Sequence, residues 1–372
     1  MTETSQLSIY EKMFAKSDKT DAILVVDGKK FHVNKALLSY HSDYFNVLFN
    51  SDFKEKSMAE IPIEDVNFAD FAAVLSLVLP NPIRRPIYHF DPFLDLADRF
   101  QLPAAKRHLE LFLITSTKSS DARIVIADKY QLNNLMDITL SKYQEGDYWD
   151  YSYRNGSRFV EYKLEMYRKL SDETNIKLFH RYLEVNNKTT KKPKPETPAI
   201  NIYEKTFANS EKTDAVLVVD GKKLHVNKAV LSYHSDYFNS LFNSEFKKKP
   251  VEEIEIKDVK FEDFSTLLSL IHLNPISPTE ENAMNILELS DRFIIPCAKY
   301  YLEPFIIISK LTSLEKIRIG EKYELSDLFQ NGIDTLKSAD FTELPSNPIY
   351  QTFSSRTKRK LFEKSLGCLF YS

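Results

Sequence analysis

Cysteine is nearly missing from these 372 residues: there are two, Cys297 and Cys368. Two thiols cannot build a disulfide framework, and their scarcity fits a reducing compartment. An excess of basic charge is missing as well. Fifty Lys and Arg stand against 53 Asp and Glu, giving a formal net charge of -3 and a pI near 6.3. A nucleic-acid binder would show a basic face or stripe instead. No run reaches the roughly 18 apolar residues that read as a membrane helix. The opening MTETSQLSIYEK lacks the apolar h-region of a secretory signal. The expectation is an intracellular protein, cytoplasmic or nuclear, with no membrane partner.

Recognisable site chemistry is just as scarce. Asp27-Gly28-Lys29-Lys30 sets a glycine beside two lysines but has no glycine-rich loop, which argues against a phosphate cradle. His32 and His225 have no His or Cys neighbours at metal-ligand spacing. His41-Ser42-Asp43, repeated at His234-Ser235-Asp236, collects triad residue types. Neighbours at a helix start point in different directions, however, while a triad needs a chain of hydrogen bonds. The plainer reading makes Ser42 an N-cap and puts Asp43 in the first turn, where the helix dipole favours a carboxylate. No catalytic constellation, metal site or cofactor site is expected.

What the chain does contain is itself, twice. TDAILVVDGKKFHVNKALLSYHSDYFNVLFNSDF, residues 20–53, returns as TDAVLVVDGKKLHVNKAVLSYHSDYFNSLFNSEF, residues 213–246, at a constant offset. The period is far longer than a solenoid repeat, so each copy should be a whole domain. Ile23-Leu24-Val25-Val26 reads as a strand ending in Asp27-Gly28, and an Asp-Gly pair between β-prone runs signals a hairpin. Asn34 reads as the N-cap of a helix that buries Ala36, Leu37 and Leu38. A second helix carries Phe45, Leu48 and Phe49 at helical spacing. Ile61 and Ile63 suggest a third strand over 60–64, and Asn67 caps a helix that Pro80-Asn81-Pro82 stops. Helices around Phe93 to Ala97, Ala104 to Phe112, Ile124 to Tyr130 and Leu135 to Tyr143 follow. This order predicts α+β, a small sheet covered by helices. A 43% apolar share supplies two cores, and the aromatic residues fall mostly at helical, core-facing spacing.

The pattern resembles the BTB (POZ) domain, a protein-interaction module. The residues that carry the resemblance are Asp21, Leu24, Val26, Gly28, Phe31, Val33, Lys35, Leu38, Ser42, Tyr44 and Phe45. Copy two keeps them, Asp214, Gly221, Lys228, Ser235 and Phe238 included, with Leu224 in place of Phe31. Asn34 and Asn227 stand where the family usually has His. The resemblance covers about 20–143 and 213–336, and it implies that Asp21 and Lys35 form a buried or half-buried pair.

Two tandem BTB domains are therefore expected, 1–143 and 201–336, with helical extensions at 144–186 and 337–372. A Lys/Pro linker over 187–200 joins them, with the extended and solvated NKTTKKPKPETP at its heart. Ile9-Tyr10-Glu11-Lys12 and Ile202-Tyr203-Glu204-Lys205 open each copy with a short helix. Lys169 to Phe179 matches Thr352 to Phe362 at a smaller offset, so copy one holds ten extra residues, placed in the aromatic stretch 147–159 around Trp149. That stretch is either a contact surface or packing for the extension helices. The basic clusters 188–194 and 356–360 read as solvated linker and helix face.

The resemblance also implies partners. In BTB adaptors of cullin-3 ubiquitin ligases a hydrophobic-x-Glu motif follows the second helix. Phe53-Lys54-Glu55 fits it; Phe246-Lys247-Lys248 keeps the anchor and reverses the charge. A buried aromatic anchor beside a fixed carboxylate is sound interface chemistry, so copy one, through Phe53 and Glu55, is the expected cullin binder, with Phe246 a possible second anchor. The family also self-associates through its first helices, so the two copies are expected to form an internal pseudo-dimer or chain-to-chain homodimers. The expected function is a non-enzymatic substrate adaptor of a cullin-3 ligase. The alternative is a cullin-independent scaffold that pairs with itself or with other BTB proteins. No MATH or kelch stretch for capturing a substrate is visible, and the substrate protein stays unnamed.

Overall fold

The computed structural model describes residues 8–50, 58–83, 90–144, 156–186, 202–244, 253–273, 275–279 and 281–370. Copy one opens with helix α1 (Ile9–Met13), closed by a reciprocal capping box. Ser8 Oγ accepts from Glu11 N–H, and the Glu11 carboxylate accepts from Ser8 N–H. Strands β1 (Ala22–Val26) and β2 (Lys29–Val33) pair antiparallel. Asp27 and Gly28 between them take φ of 50° and 72°, two successive left-handed residues as a tight hairpin of this twist demands. The Asp27 carboxylate accepts from Phe68 N–H at 2.9 Å, so the turn also anchors the start of a later helix.

Strand β3 (Ile61–Pro62) lies parallel to β1, giving the order β2-β1-β3. It is shorter than the 60–64 expected, because Pro62 has no N–H to give a ladder. Helices α2 (Lys35–His41), α3 (Asp43–Asn50), α4 (Phe68–Ser76), α5 (Asp91–Arg99) and α6 (Pro103–Thr115) cover the sheet. Helices α7 (Ser120–Lys129) and α8 (Asn133–Lys142) follow, then α9 (Gly156–Lys169) and α10 (Asp172–Asn186).

Copy two repeats the plan as α11 (Ile202–Thr206), β4 (Ala215–Val219), β5 (Lys222–Val226), α12 (Lys228–His234), α13 (Asp236–Ser244) and β6 (Glu253–Glu255). Next come α14 (Phe261–Ser269), α15 (Ala283–Arg292), α16 (Pro296–Ile307), α17 (Ser313–Lys322) and α18 (Ser326–Asp334). The chain closes with α19 (Asp340–Glu343), α20 (Pro348–Gln351) and α21 (Ser355–Phe370). The second sheet has the same order, β5-β4-β6. The chain is thus α+β, one small mixed sheet under a helical cluster, made twice.

At the centre of each core lies a cluster of aromatic rings. Phe45 lies nearly parallel to Phe100 at 5.8 Å, and Phe71 meets Phe100 at 5.0 Å. In copy two Phe238, Phe293 and Phe264 repeat this at 5.9 and 4.9 Å. All six rings are fully buried, each worth about 1.5–3 kcal/mol relative to exposure. Ser42 ties the cluster together. Its Oγ donates to the Phe100 carbonyl at 2.7 Å and accepts from Phe45 N–H at 3.0 Å. Ser235 does the same with Phe293 and Phe238. Ser42→Ala should strand a buried carbonyl and cost about 1–3 kcal/mol. A denaturant melt without a shifted midpoint would contradict this role.

Two expectations need correcting. Ala36 is exposed; the buried side of α2 is Leu37, Leu38, Tyr40 and His41, because the 3.6-residue period carries Ala36 off that face. Asp21 and Lys35 form no buried ion pair. The exposed Asp21 carboxylate accepts from the backbone N–H of Lys35 at 2.7 Å, and the Lys35 ammonium lies 5.9 Å from the Phe49 ring centroid. A carboxylate arriving at a helix start meets the free N–H groups before it meets a flexible ammonium.

Candidate interaction site

The two copies meet along α2 against α12 and α6 against α16. Positions related by the repeat face one another, so the contact is isologous, the same patch used from both sides. His41 and His234, the matched ends of α2 and α12, lie with ring centroids 6.2 Å apart at 75°. His108 of α6 stacks on Tyr301 of α16, its matched position, at 3.4 Å and 7°. The Tyr301 hydroxyl donates across the seam to the Leu77 carbonyl. Tyr300 reaches the Ile83 carbonyl at 3.5 Å and packs on Phe112 at 5.3 Å. Arg107 donates to the Ser277 hydroxyl while also pairing with the buried Glu110.

The rim is polar and reciprocal. Lys19 of copy one sits 5.6 Å from the Tyr233 ring of copy two. Its counterpart Lys212 reaches the Tyr40 carbonyl at 3.5 Å and the Asp43 carboxylate at 3.3 Å. These exposed contacts set register more than they hold the copies together, being worth about 0–1 kcal/mol for an ion pair.

The seam gathers four of the eight histidines: His41, His108, His234 and His272. Burial pushes His41 well below the usual imidazole range, and charge on the neighbouring histidines would push it further. Burial lowers His234 to about 3 and His272 to about 4, with Lys19 and Lys212 adding to the effect. Burial takes His108 to about 3 even though the backbone of Leu77 and Leu270 favours its charged form. The ring nitrogens of His41 and His108 make no well-formed hydrogen bond within the protein. The Cys297 thiol, 3.7 Å from His234 Nδ1, is pushed up to about 12 by burial. Among the described residues no group of three or more His, Cys, Asp or Glu could hold a metal. The seam is an apolar interface lined with neutral imidazoles.

The residues singled out from sequence sit elsewhere. Asp21, Gly28, Lys35, Ser42 and Phe45, with Asp214, Gly221, Lys228, Ser235 and Phe238, belong to the framework behind the seam. Asp214 and Ser235 repeat the bonds of Asp21 and Ser42, and Gly28 and Gly221 take φ of 72° and 73°. The His41-Ser42-Asp43 set is scattered: His41 turns into the seam, Ser42 caps, and exposed Asp43 pairs with Lys212. Phe53, Glu55 and Phe246, the expected cullin anchors, lie outside the described residues, as do Trp149 and the linker. His108, His272, Arg107, Tyr300 and Tyr301 were not foreseen. Aligning the copies position by position exposes the signal, since His272 replaces Leu79 and Tyr301 replaces His108. A second unforeseen feature is an exposed apolar stripe on the extension helices: Ile176, Phe179 and Leu183 on α10, and Phe362 and Leu366 on α21.

No helix among the described residues is long and apolar enough to cross a membrane. A family model described as BTB/POZ domain matches residues 10–117 and 203–310, more than half of the chain. Among curated proteins, BTB and MATH domain-containing protein 36 of Caenorhabditis elegans is 35% identical over 42% of this chain and 50% of its own length. BTB and MATH domain-containing protein 45 of the same organism is 27% identical over 85% of this chain and 60% of its own length. Human Kelch-like protein 6 is 27% identical over 38% of this chain and 25% of its own length. The chain thus spans between half and three-fifths of the length of the two nematode relatives.

Proposed function

Since the chain belongs to the BTB/POZ domain family and carries that protein-interaction domain twice, we propose that it is a non-enzymatic adaptor that pairs its own two copies and offers one cullin-3 hook. The carrying observation is the seam. The faces of α2 and α6 on one copy are covered by α12 and α16 of the other, so one chain already satisfies the surface each copy would use to self-associate. A tether of this kind holds the second copy at high effective concentration.

The hook is Phe53 and Glu55, with the lysine pair after Phe246 disfavouring the same pocket on copy two. The pair would therefore dock one cullin rather than two. The extensions, 144–186 and 337–372, give each copy additional surface, and exposed Phe179 on α10 supplies an apolar face for a partner. Either copy two or the segment around Trp149 is left to hold the substrate protein.

Full-length protein carrying a tag tests this. Wild type should retain cullin-3, and Phe53→Ala or Glu55→Lys should lower capture at least tenfold, while Phe246→Ala should leave it near wild type. Loss with Phe246→Ala and none with Phe53→Ala would reverse the assignment. No capture by wild type would leave the cullin-independent scaffold. Light scattering should give one chain's mass, 43.3 kDa; twice that would replace the internal pair with a chain-to-chain dimer.

A further inference from the structure

The symmetry of the seam is broken at its centre. Of the two helix pairs that meet, α2 and α12 are nearly identical, differing only at Leu37 against Val230. The carbonyls that face the two rings are matched too: Leu77, which receives the Tyr301 hydroxyl, and Leu270, which lies beside His108. Yet the two rings that reach toward those carbonyls differ, His108 from one side and Tyr301 from the other, each 2% exposed. We infer that this seam selects unlike copies: His108 and Tyr301 form a one-of-each lock that neither two first copies nor two second copies can reproduce. The inference rests on the internal pairing proposed above and names what specifies it.

The chemistry differs for each wrong pair. Two first copies would set His108 against His108. The phenol is then gone, its hydroxyl no longer reaches Leu77, and a buried carbonyl loses its donor. Two second copies would set Tyr301 against Tyr301. Each hydroxyl would find a carbonyl, but a second phenol must enter a stack already closed to 3.4 Å, and overfilled interiors force rings off their preferred geometry.

The neighbouring position repeats the asymmetry. Arg107 donates to Ser277 on one side, and Tyr300 packs on Phe112 on the other. Two first copies would bring two Arg107 guanidiniums to the seam, each with its own Glu110, but neither the Ser277 hydroxyl nor the Tyr300 ring. A third difference lies at Leu79 and His272: His272 packs at 6.0 Å against Tyr40 of copy one, where two first copies would offer leucine. Near-identical helices make the seam possible, and the divergent second layer chooses which copies occupy it.

The full-length chain provides the test, using His108→Tyr, Tyr301→His and the swap that carries both. Amide exchange of residues 35–41 and 228–234 reports seam opening, and residues 261–269 report the core of copy two. Each single variant should speed exchange in the two seam helices at least tenfold with the core segment unchanged. The swap should recover most of the protection, because a phenol introduced at position 108 would reach the Leu270 carbonyl as Tyr301 now reaches Leu77. Unchanged exchange in both single variants overturns the lock, and so does a swap as open as the sum of the singles. A wild-type chain that is dimeric by mass and open at both seam helices overturns the internal pair itself, an outcome read on wild type alone.

Discussion

Acidification from pH 7 to pH 5 opens the seam between the copies and destabilises the chain far more than carboxylate titration alone would do in that range. The cause is four imidazoles held neutral by burial. Their folded values lie below the ordinary 6.5: about 3 for His108 and His234, about 4 for His272, and well below it for His41. For a base whose folded value is depressed, the open chain takes up the proton first. The stabilisation is therefore complete above pH 6.5 and is lost as pH falls toward 4 and then 3. His108, His234 and His272 each forfeit about 2 kcal/mol between pH 7 and pH 5, and His41 acts in the same direction. Together these losses are comparable with the whole stability of a domain, about 5–15 kcal/mol.

The surroundings offer little relief. Lys19, Lys212 and Arg107 face the cluster as cations, and Arg107 is already engaged by Glu110. Asp43 is exposed and held by Lys212, and the Cys297 thiol is uncharged until about 12. Tyr40 and Tyr301 are pushed up by burial and stay neutral. Thermal melts followed by circular dichroism at pH 7, 6 and 5 read the slope directly. His272→Leu, which restores the residue copy one carries at that place, should remove about one proton from it, near 1.4 kcal/mol per pH unit. A melting temperature that is flat from pH 7 to pH 5 would mean that the imidazoles are hydrated and the seam is open already.

What could be read from the sequence was local. An Asp-Gly pair requires two left-handed residues, and Asp27 and Gly28 adopt them. Asn34 and Asn67 each cap the helix that follows, because a short polar side chain there can reach the free N–H groups. The fixed-offset repeat carried the whole plan from one copy to the other. What could not be read depended on which face meets which. His41 lies on the same helical face as Leu37 and Leu38, and periodicity marks that face as buried without saying whether its cover is the same copy or the other one. Lys35 misled for a related reason: the side chain is noted in a sequence pattern, but the carboxylate of Asp21 reads the backbone of that residue. His108 and Tyr301 look like ordinary helix residues until the copies are aligned and the exchange between them is seen.

Gly320→Leu should break the helix pair α17 and α18 and cost about 3 kcal/mol or more, above the usual 1–3 kcal/mol of an overfilled core. The two helices touch almost backbone to backbone. A methyl group added at Gly320 would sit 2.7 Å from both Cα and N of Phe329, and one added at Gly332 would sit 2.8 Å from the Ser313 carbonyl. Backbone atoms cannot swing aside as a flexible side chain can, so the helices must separate. Separation exposes Ile317, Leu325, Leu328 and Ile333, all buried now. Copy one has Ala127 and Thr139 at the matched positions, both buried, so its pair α7 and α8 already accommodates a Cβ at each place. Thr139→Ala removes a buried hydroxyl that has no partner within the protein and should therefore change stability by less than about 1 kcal/mol. Gly320→Ala should fall between these extremes. Urea midpoints for the three variants separate the cases: a Gly320→Leu chain as stable as wild type would mean that α17 and α18 do not approach this closely, and a Thr139→Ala chain as damaged as Gly320→Leu would mean that copy one packs as tightly as copy two.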